Sequence, residues 1–175
     1  MPVTAVIAAL ALLASLAAMA TSGSPPVQRT VPCAEIIDST RFPYLGGSRP
    51  QQRYRLVLGA VSVPPAYLEQ IVATHERPWR YWRKAGLVVR ADGTAVDIRV
   101  PKAWRTRAAI AWGYGGHGPF SSLRIAGCRG NPHEGNAYSG GFYLRSSSAC
   151  LPLQFRVGAR SATVRFGLGR RCARA

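Results

Sequence analysis

Trp79, Tyr81 and Trp82 alternate with Arg77, Arg80, Arg83 and Lys84 in the stretch RPWRYWRKAG, positions 77 to 86. Rings interleaved with cations can stack on bases or sugar rings while the cations contact phosphates or carboxylates. The same rings can instead plug the end of a β-domain, with the arginines lying over them. Aromatic residues are 9% of the chain, so plugs would have to come from stretches such as this one. The stretch is at once the best binding candidate and a candidate for architecture.

A second set of cations has a different spacing. Arg90, Arg99, Arg124, Arg145, Arg156 and Arg165 fall on the polar side of period-two alternations. Their apolar partners are Leu87, Val89, Val96, Ile98, Leu123, Ile125, Phe142, Leu144, Leu153, Phe155, Val164 and Phe166. Strand side chains point alternately to opposite faces, so the apolar set should make the core and the arginines the outside. If several of these strands share a sheet, the arginines form a basic face. Alternation does not carry strand order, so they could equally be spread over two sheets. The chain has 23 Lys and Arg against 7 Asp and Glu, a formal charge of +16, with Lys84 and Lys102 the only lysines. Such a surface attracts anionic polymers.

Catalytic chemistry is thinly represented. Gly113-Tyr114-Gly115-Gly116-His117-Gly118 has the GxGxxG spacing, but Pro119 and a further strand follow it. A dinucleotide site needs a helix whose N-terminus meets the pyrophosphate. His75, His117 and His133 fall in expected loops without HExxH spacing, and no serine lies in GxSxG. Glu69 with Glu76, or Asp92 with Asp97, could pair only across a cleft that sequence does not reveal. His117 with His133 and Glu134 is the nearest thing to a catalytic group. It supports an alternative reading as a secreted hydrolase of glycan or ester. Cofactor and metal are not expected, because the cysteine spacings lack the paired CxxC of a zinc site.

These residues must be positioned by strands. Arg55–Val63 reads as one strand stopped by Pro64-Pro65. In residues 66–73 the apolar positions 67, 68, 71 and 72 share one helical face, which predicts a single short helix. Leu87–Ala91 and Thr94–Val100 flank Asp92-Gly93, the signature of a two-residue hairpin turn. Ala108–Trp112, Ser122–Ala126, Gly141–Arg145, Leu151–Val157 and Ala162–Leu168 follow, separated by Gly-, Ser- or Pro-rich turns. Many short strands and almost no helix predict an all-β fold, a β-sandwich or jelly-roll-like domain.

Ala5–Ala20 reads AVIAALALLASLAAMA and ends in the small-x-small pattern Ala18-Met19-Ala20. At this length, followed by a polar Pro-rich segment, it predicts a signal peptide over residues 1–20. The n-region carries no Lys or Arg, which leaves an uncleaved membrane anchor as the alternative. Residues 21–32 read as a flexible lead-in and 33–175 as one domain, long enough to bury a core. Cys33, Cys128, Cys150 and Cys172, an even count in an exported chain, predict two disulfides. Three pairings are possible; Cys128–Cys150 and Cys33–Cys172 are expected, joining neighbouring strands and tying the domain ends together.

The stretches YWRKAGLVVRADG, VPKAWRTRAAIAWG, SSLRIAGC, YSGGFYLRS, ACLPLQFRVG and SATVRFGLGRRC span residues 81 to 172. They resemble a family of small secreted proteins from high-GC Gram-positive bacteria. The resemblance implies export, a compact β domain and paired cysteines, and nothing catalytic. The expected function is non-catalytic association with an anionic envelope polymer or acidic glycan through a basic, Arg/Trp-rich surface. Nucleic acid is disfavoured as a partner by export and by the lack of any recognised motif. A structural envelope protein without ligand is the third reading.

Overall fold

The computed structural model describes residues 28–113 and 118–173. The leader 1–20, most of the lead-in, and His117 with its glycine-rich loop lie outside the described residues. The chain is all-β, as its alternation predicts. In chain order the first strands are β1 (Arg29–Val31), β2 (Asp38–Arg41), β3 (Arg55–Val57), β4 (Val61–Val63), β5 (Tyr67–Leu68) and β6 (Val72–Ala73). Next come β7 (Tyr81–Lys84), β8 (Leu87–Arg90), β9 (Val96–Arg99), β10 (Ala108–Trp112) and β11 (Ser122–Ile125). The last are β12 (Glu134–Tyr138), β13 (Gly140–Leu144), β14 (Ala149–Val157) and β15 (Arg160–Leu168). Helical structure among the described residues is limited to single 3-10 turns at Cys33–Glu35, Pro50–Gln52 and Lys102–Trp104.

A six-stranded sheet has the order β1-β11-β9-β14-β15-β5. A five-stranded sheet, β2-β12-β8-β4-β3, and a four-stranded sheet, β10-β13-β7-β6, lie against it in a sandwich-like arrangement. The two smaller sheets are halves of one bent layer. Tyr138 lies opposite Leu87 and Gly141 opposite Lys84, so three steps forward on one chain match three steps back on the other. The ladder keeps its register across the joint, where the Ala85 N–H donates to the Gly140 carbonyl at 2.7 Å. A side chain does not fit at this bend: a Cβ on Gly140 would collide with the Ala111 carbonyl, and one on Gly141 with the Arg83 carbonyl.

The expected core is the observed one. Of the twelve apolar partners named above, all but the half-buried Val164 are at most 1% exposed. Each such burial contributes about 1.5–3 kcal/mol. Phe142 joins the two layers. Its ring centroid lies 5.1 Å from Phe166 of the six-stranded sheet and 5.4 Å from Trp112. The Trp112 indole N–H donates to the Ala85 carbonyl at 2.8 Å, so this buried ring has its polar handle satisfied.

Four expectations are corrected. The helix predicted over residues 66–73 is absent: Tyr67–Leu68 pairs with β15 and Val72–Ala73 with β7, so the segment crosses between layers. Eight residues are too few to hold a helix without a packed face, and the β-branched pair Ile71-Val72 accepts extended backbone readily. Arg55–Val63 is a hairpin rather than one strand, turning through Leu58 (φ +52°) and Gly59 (φ +70°). Leucine in this conformation costs about 1–2 kcal/mol, and Arg160 Nη2 holds it by donating to the Leu58 carbonyl at 2.9 Å.

Asp92-Gly93 is not a hairpin turn either. β8 belongs to the five-stranded sheet and β9 to the six-stranded one, so the dipeptide arches from layer to layer. Asp92 Oδ1 accepts from the Thr94 N–H at 2.9 Å, an Asx turn that has the same sequence signature as the hairpin. The disulfides are Cys33–Cys128 and Cys150–Cys172, not Cys128–Cys150 and Cys33–Cys172. β1 runs parallel to β11, which brings the cysteines following each strand to the same end of the sheet. The β14–β15 hairpin then returns the tail to Cys150, which sits opposite Gly167. β1 also means that the lead-in ends in a sheet strand from Arg29 onward.

Candidate functional site

Strand order decides what the arginines do. Arg124, Arg99, Arg156 and Arg165 stand on β11, β9, β14 and β15, four consecutive strands of the six-stranded sheet. All four are exposed on its outer face, opposite the buried Ile98, Leu123, Leu153, Phe155 and Phe166. Register arranges them in rows. Arg124, Asp97 and Arg156 are direct cross-strand neighbours. The next row carries Ser122, Arg99, Gln154 and Thr163, and Arg165 follows opposite Pro152.

Asp97 is the one carboxylate in these rows, and it is 5% exposed. Arg124 Nη1 donates to its Oδ1 at 3.0 Å, while Arg156 Nε and Nη2 donate to Oδ2 at 3.1 and 2.7 Å. One carboxylate thus fixes two guanidiniums that are themselves about half exposed. Their remaining N–H groups face solvent. The Arg99 and Arg165 guanidiniums have no partner among the described residues. A shallow groove of about 340 Å³ runs over this face, lined by Arg99, Arg156, Gln154, Ser161 and Thr163. Such a surface can hold carboxylate or sulfate groups by bidentate guanidinium contacts and hydroxyls by the amide and Ser/Thr oxygens.

The other expected site residues go elsewhere. Trp79 is 3% exposed and packs with Ala109 and Tyr143 in a small second cluster on the outer side of the four-stranded sheet. Its ring has no free face: the Arg145 guanidinium lies 5.7 Å from its centroid. Trp82 is half-buried against Tyr143, with centroids 4.4 Å apart. Tyr81 points the other way, into the main core. Arg80 and Lys84 are exposed. Arg83 is half-buried, and its Nε is shielded from solvent without a hydrogen-bond partner. Arg90, on the five-stranded sheet, covers the Phe42 ring at 5.2 Å and pairs with Asp92 at 3.7 Å. The stretch 77–86 is therefore mostly architecture on its Trp79 side.

Arg55, which the alternation did not single out, is used by the fold. Its Nε and Nη2 donate to the Pro64 carbonyl and its Nη1 to the Arg165 carbonyl, joining the edge of β3 to the edge of β15. Burial pushes this guanidinium down to about 10, so it is still charged at neutral pH. His75 and His133 are exposed. Among the described residues no group of three His, Cys, Asp or Glu could hold a metal, and no helix is long and apolar enough to cross a membrane.

In the sequence Asp97 stands out only as a possible carboxylate partner of Asp92; the two arginines that hold it come from strand pairings distant in the chain. Compared with known proteins, the chain matches no family model and no curated protein.

Proposed function

We propose that this is an exported, non-catalytic β-sandwich that associates with anionic polymers of the cell envelope or its surroundings. The binding surface is the outer face of the six-stranded sheet. The observation that carries this reading is the gathering of Arg99, Arg124, Arg156 and Arg165 on four adjacent strands, with Asp97 the one carboxylate among them. Strands about 4.8 Å apart place such charges at a spacing a linear polyanion can follow. Export is supported by the leader-like residues 1–20 and by two disulfides, which persist in oxidising compartments.

Heparin serves as a generic probe. Wild-type protein should bind it with an affinity that falls steeply with salt, because binding releases condensed counterions. Replacing Arg99 and Arg165 with Gln should weaken binding roughly tenfold and flatten the salt slope by about 1 to 2. Unchanged affinity and slope in that double variant would remove the sheet face from the reading. Protein recovered from culture medium should begin at or near Thr21 on N-terminal sequencing; full-length chain confined to the membrane fraction would replace export by anchoring.

A further inference from the structure

A larger concavity than the groove on the arginine face lies elsewhere. A cleft of about 710 Å³ opens where the loop 44–54, the Pro64-Pro65 corner and the end of β7 meet. Its volume is within the usual range for small-molecule sites, about 300–1,000 Å³. Three cations line it, Arg83, Lys84 and Arg171, against one carboxylate, Glu69. Three tyrosine rings, Tyr44, Tyr54 and Tyr67, complete the walls.

Several features fix these walls in advance. Tyr54 meets Tyr44 edge-on at 4.8 Å and donates its hydroxyl to the Gly86 carbonyl at 3.2 Å. Tyr67 carries the Arg171 guanidinium 4.6 Å from its ring centroid. Gly46 adopts φ +77°, and any Cβ there would press on the Tyr54 ring 2.8 Å away. Arg83 Nε, buried and unpartnered, leaves one donor unsatisfied.

We propose that this cleft binds an acidic monosaccharide of the uronic-acid class, its carboxylate on the Arg83 guanidinium and its ring against the tyrosines. The planar fork of arginine matches a carboxylate in two-point contact. Tyrosine faces accept the C–H side of a pyranose, and Glu69 supplies an acceptor for sugar hydroxyls. Glu69 also opposes a dianion, which sets the cleft apart from a phosphate site. The inference stands on the cleft alone and does not require that the arginine face bind a polymer.

The test is a titration of the folded, oxidised protein with sodium D-glucuronate, followed by NMR of the tyrosine ring protons. It is run at high salt, where the Debye length is about 3 Å at 1 M and long-range attraction to the arginine face is screened. Saturating shifts at Tyr44, Tyr54 and Tyr67, with millimolar affinity, are expected. D-glucose and inorganic phosphate should each bind at least tenfold more weakly, and Arg83→Gln should abolish saturation by glucuronate. No shift with glucuronate, an equal response to glucose, or an equal response to phosphate would each overturn the proposal. The wild-type titration decides the matter even if the Arg83 variant fails to fold. Heparin binding is read separately on the sheet face, so failure of either proposal leaves the other's result intact.

Discussion

The two outer faces of the sandwich use arginine and aromatic residues to opposite ends. On the four-stranded side, Trp79, Tyr143 and Trp82 pack together and Arg145 lies over the Trp79 ring, so the guanidinium finishes a small satellite core. On the six-stranded side, among the described residues, no ring lies under Arg99, Arg124, Arg156 or Arg165; Arg124 and Arg156 are held by Asp97, and Arg99 and Arg165 are exposed without a partner. A guanidinium over a buried ring contributes to folding, whereas one on a bare strand is free to meet a ligand. Residue type alone does not separate the two roles. What lies beneath the guanidinium does.

The largest effect expected from this contrast is at Trp79. Trp79→Ala empties a nearly closed site and should cost about 3–5 kcal/mol in urea unfolding, the usual range for such a core truncation. Trp82→Ala, removing a half-buried ring, should cost less than half of that. Heparin affinity of whatever folded protein remains should change little in either case. A Trp79→Ala protein that keeps its stability but loses heparin binding would turn the satellite core into a binding platform and erase the difference between the faces.

The next effect is a dependence of stability on pH, set by the core that both faces enclose. Burial pushes the Tyr138 hydroxyl up to about 12, with the charge of Glu35 acting in the same direction. Burial also raises Tyr54 and Tyr143. The sign follows from proton counting. Above pH 10 the unfolded chain releases these tyrosine protons while the folded chain keeps them, so stability is present below pH 10 and falls as pH rises towards 12. At about 1.4 kcal/mol per pH unit, Tyr138 alone accounts for a loss of roughly 3 kcal/mol across that window. Tyr138→Phe should flatten the decline, as urea melts at successive pH values would register. A decline of the same steepness in the variant would place the titrating group elsewhere.

How much of this was legible in the sequence depends on the range of the interaction. Period-two alternation is local, and it assigned Ile98 and Phe155 inward and Arg99 and Arg156 outward. That Arg99, Arg124, Arg156 and Arg165 share one face depends on β9 pairing with both β11 and β14, a long-range event with no local trace. The same limit hid the arch at Asp92-Gly93, since an Asx turn and a hairpin turn favour the same dipeptide. It also hid the cysteine pairing, which follows from β1 adding in parallel to β11. Trp79 was ambiguous for another reason: it precedes its strand, where alternation gives no direction. The uronate cleft was invisible because Tyr44, Tyr54, Tyr67, Arg83 and Arg171 come from four separated stretches.

The smallest effect, and the sharpest on the arginine face, is expected from Asp97→Asn. The substitution keeps shape and removes the negative charge that two guanidiniums share. Because the Arg124 and Arg156 side chains are 48% and 54% exposed, they can turn to water once released. The loss of stability should therefore be about 1–2 kcal/mol, below the cost of breaking a fully buried pair. The variant face carries one more uncompensated guanidinium. Its heparin affinity should rise several-fold and its salt slope should steepen by up to about 1. Stability and affinity would then move in opposite directions, which a purely structural Asp97 would not produce. If both fall together, Asp97 serves chiefly to aim Arg124 and Arg156, and the face binds by fixed geometry rather than by its count of charges.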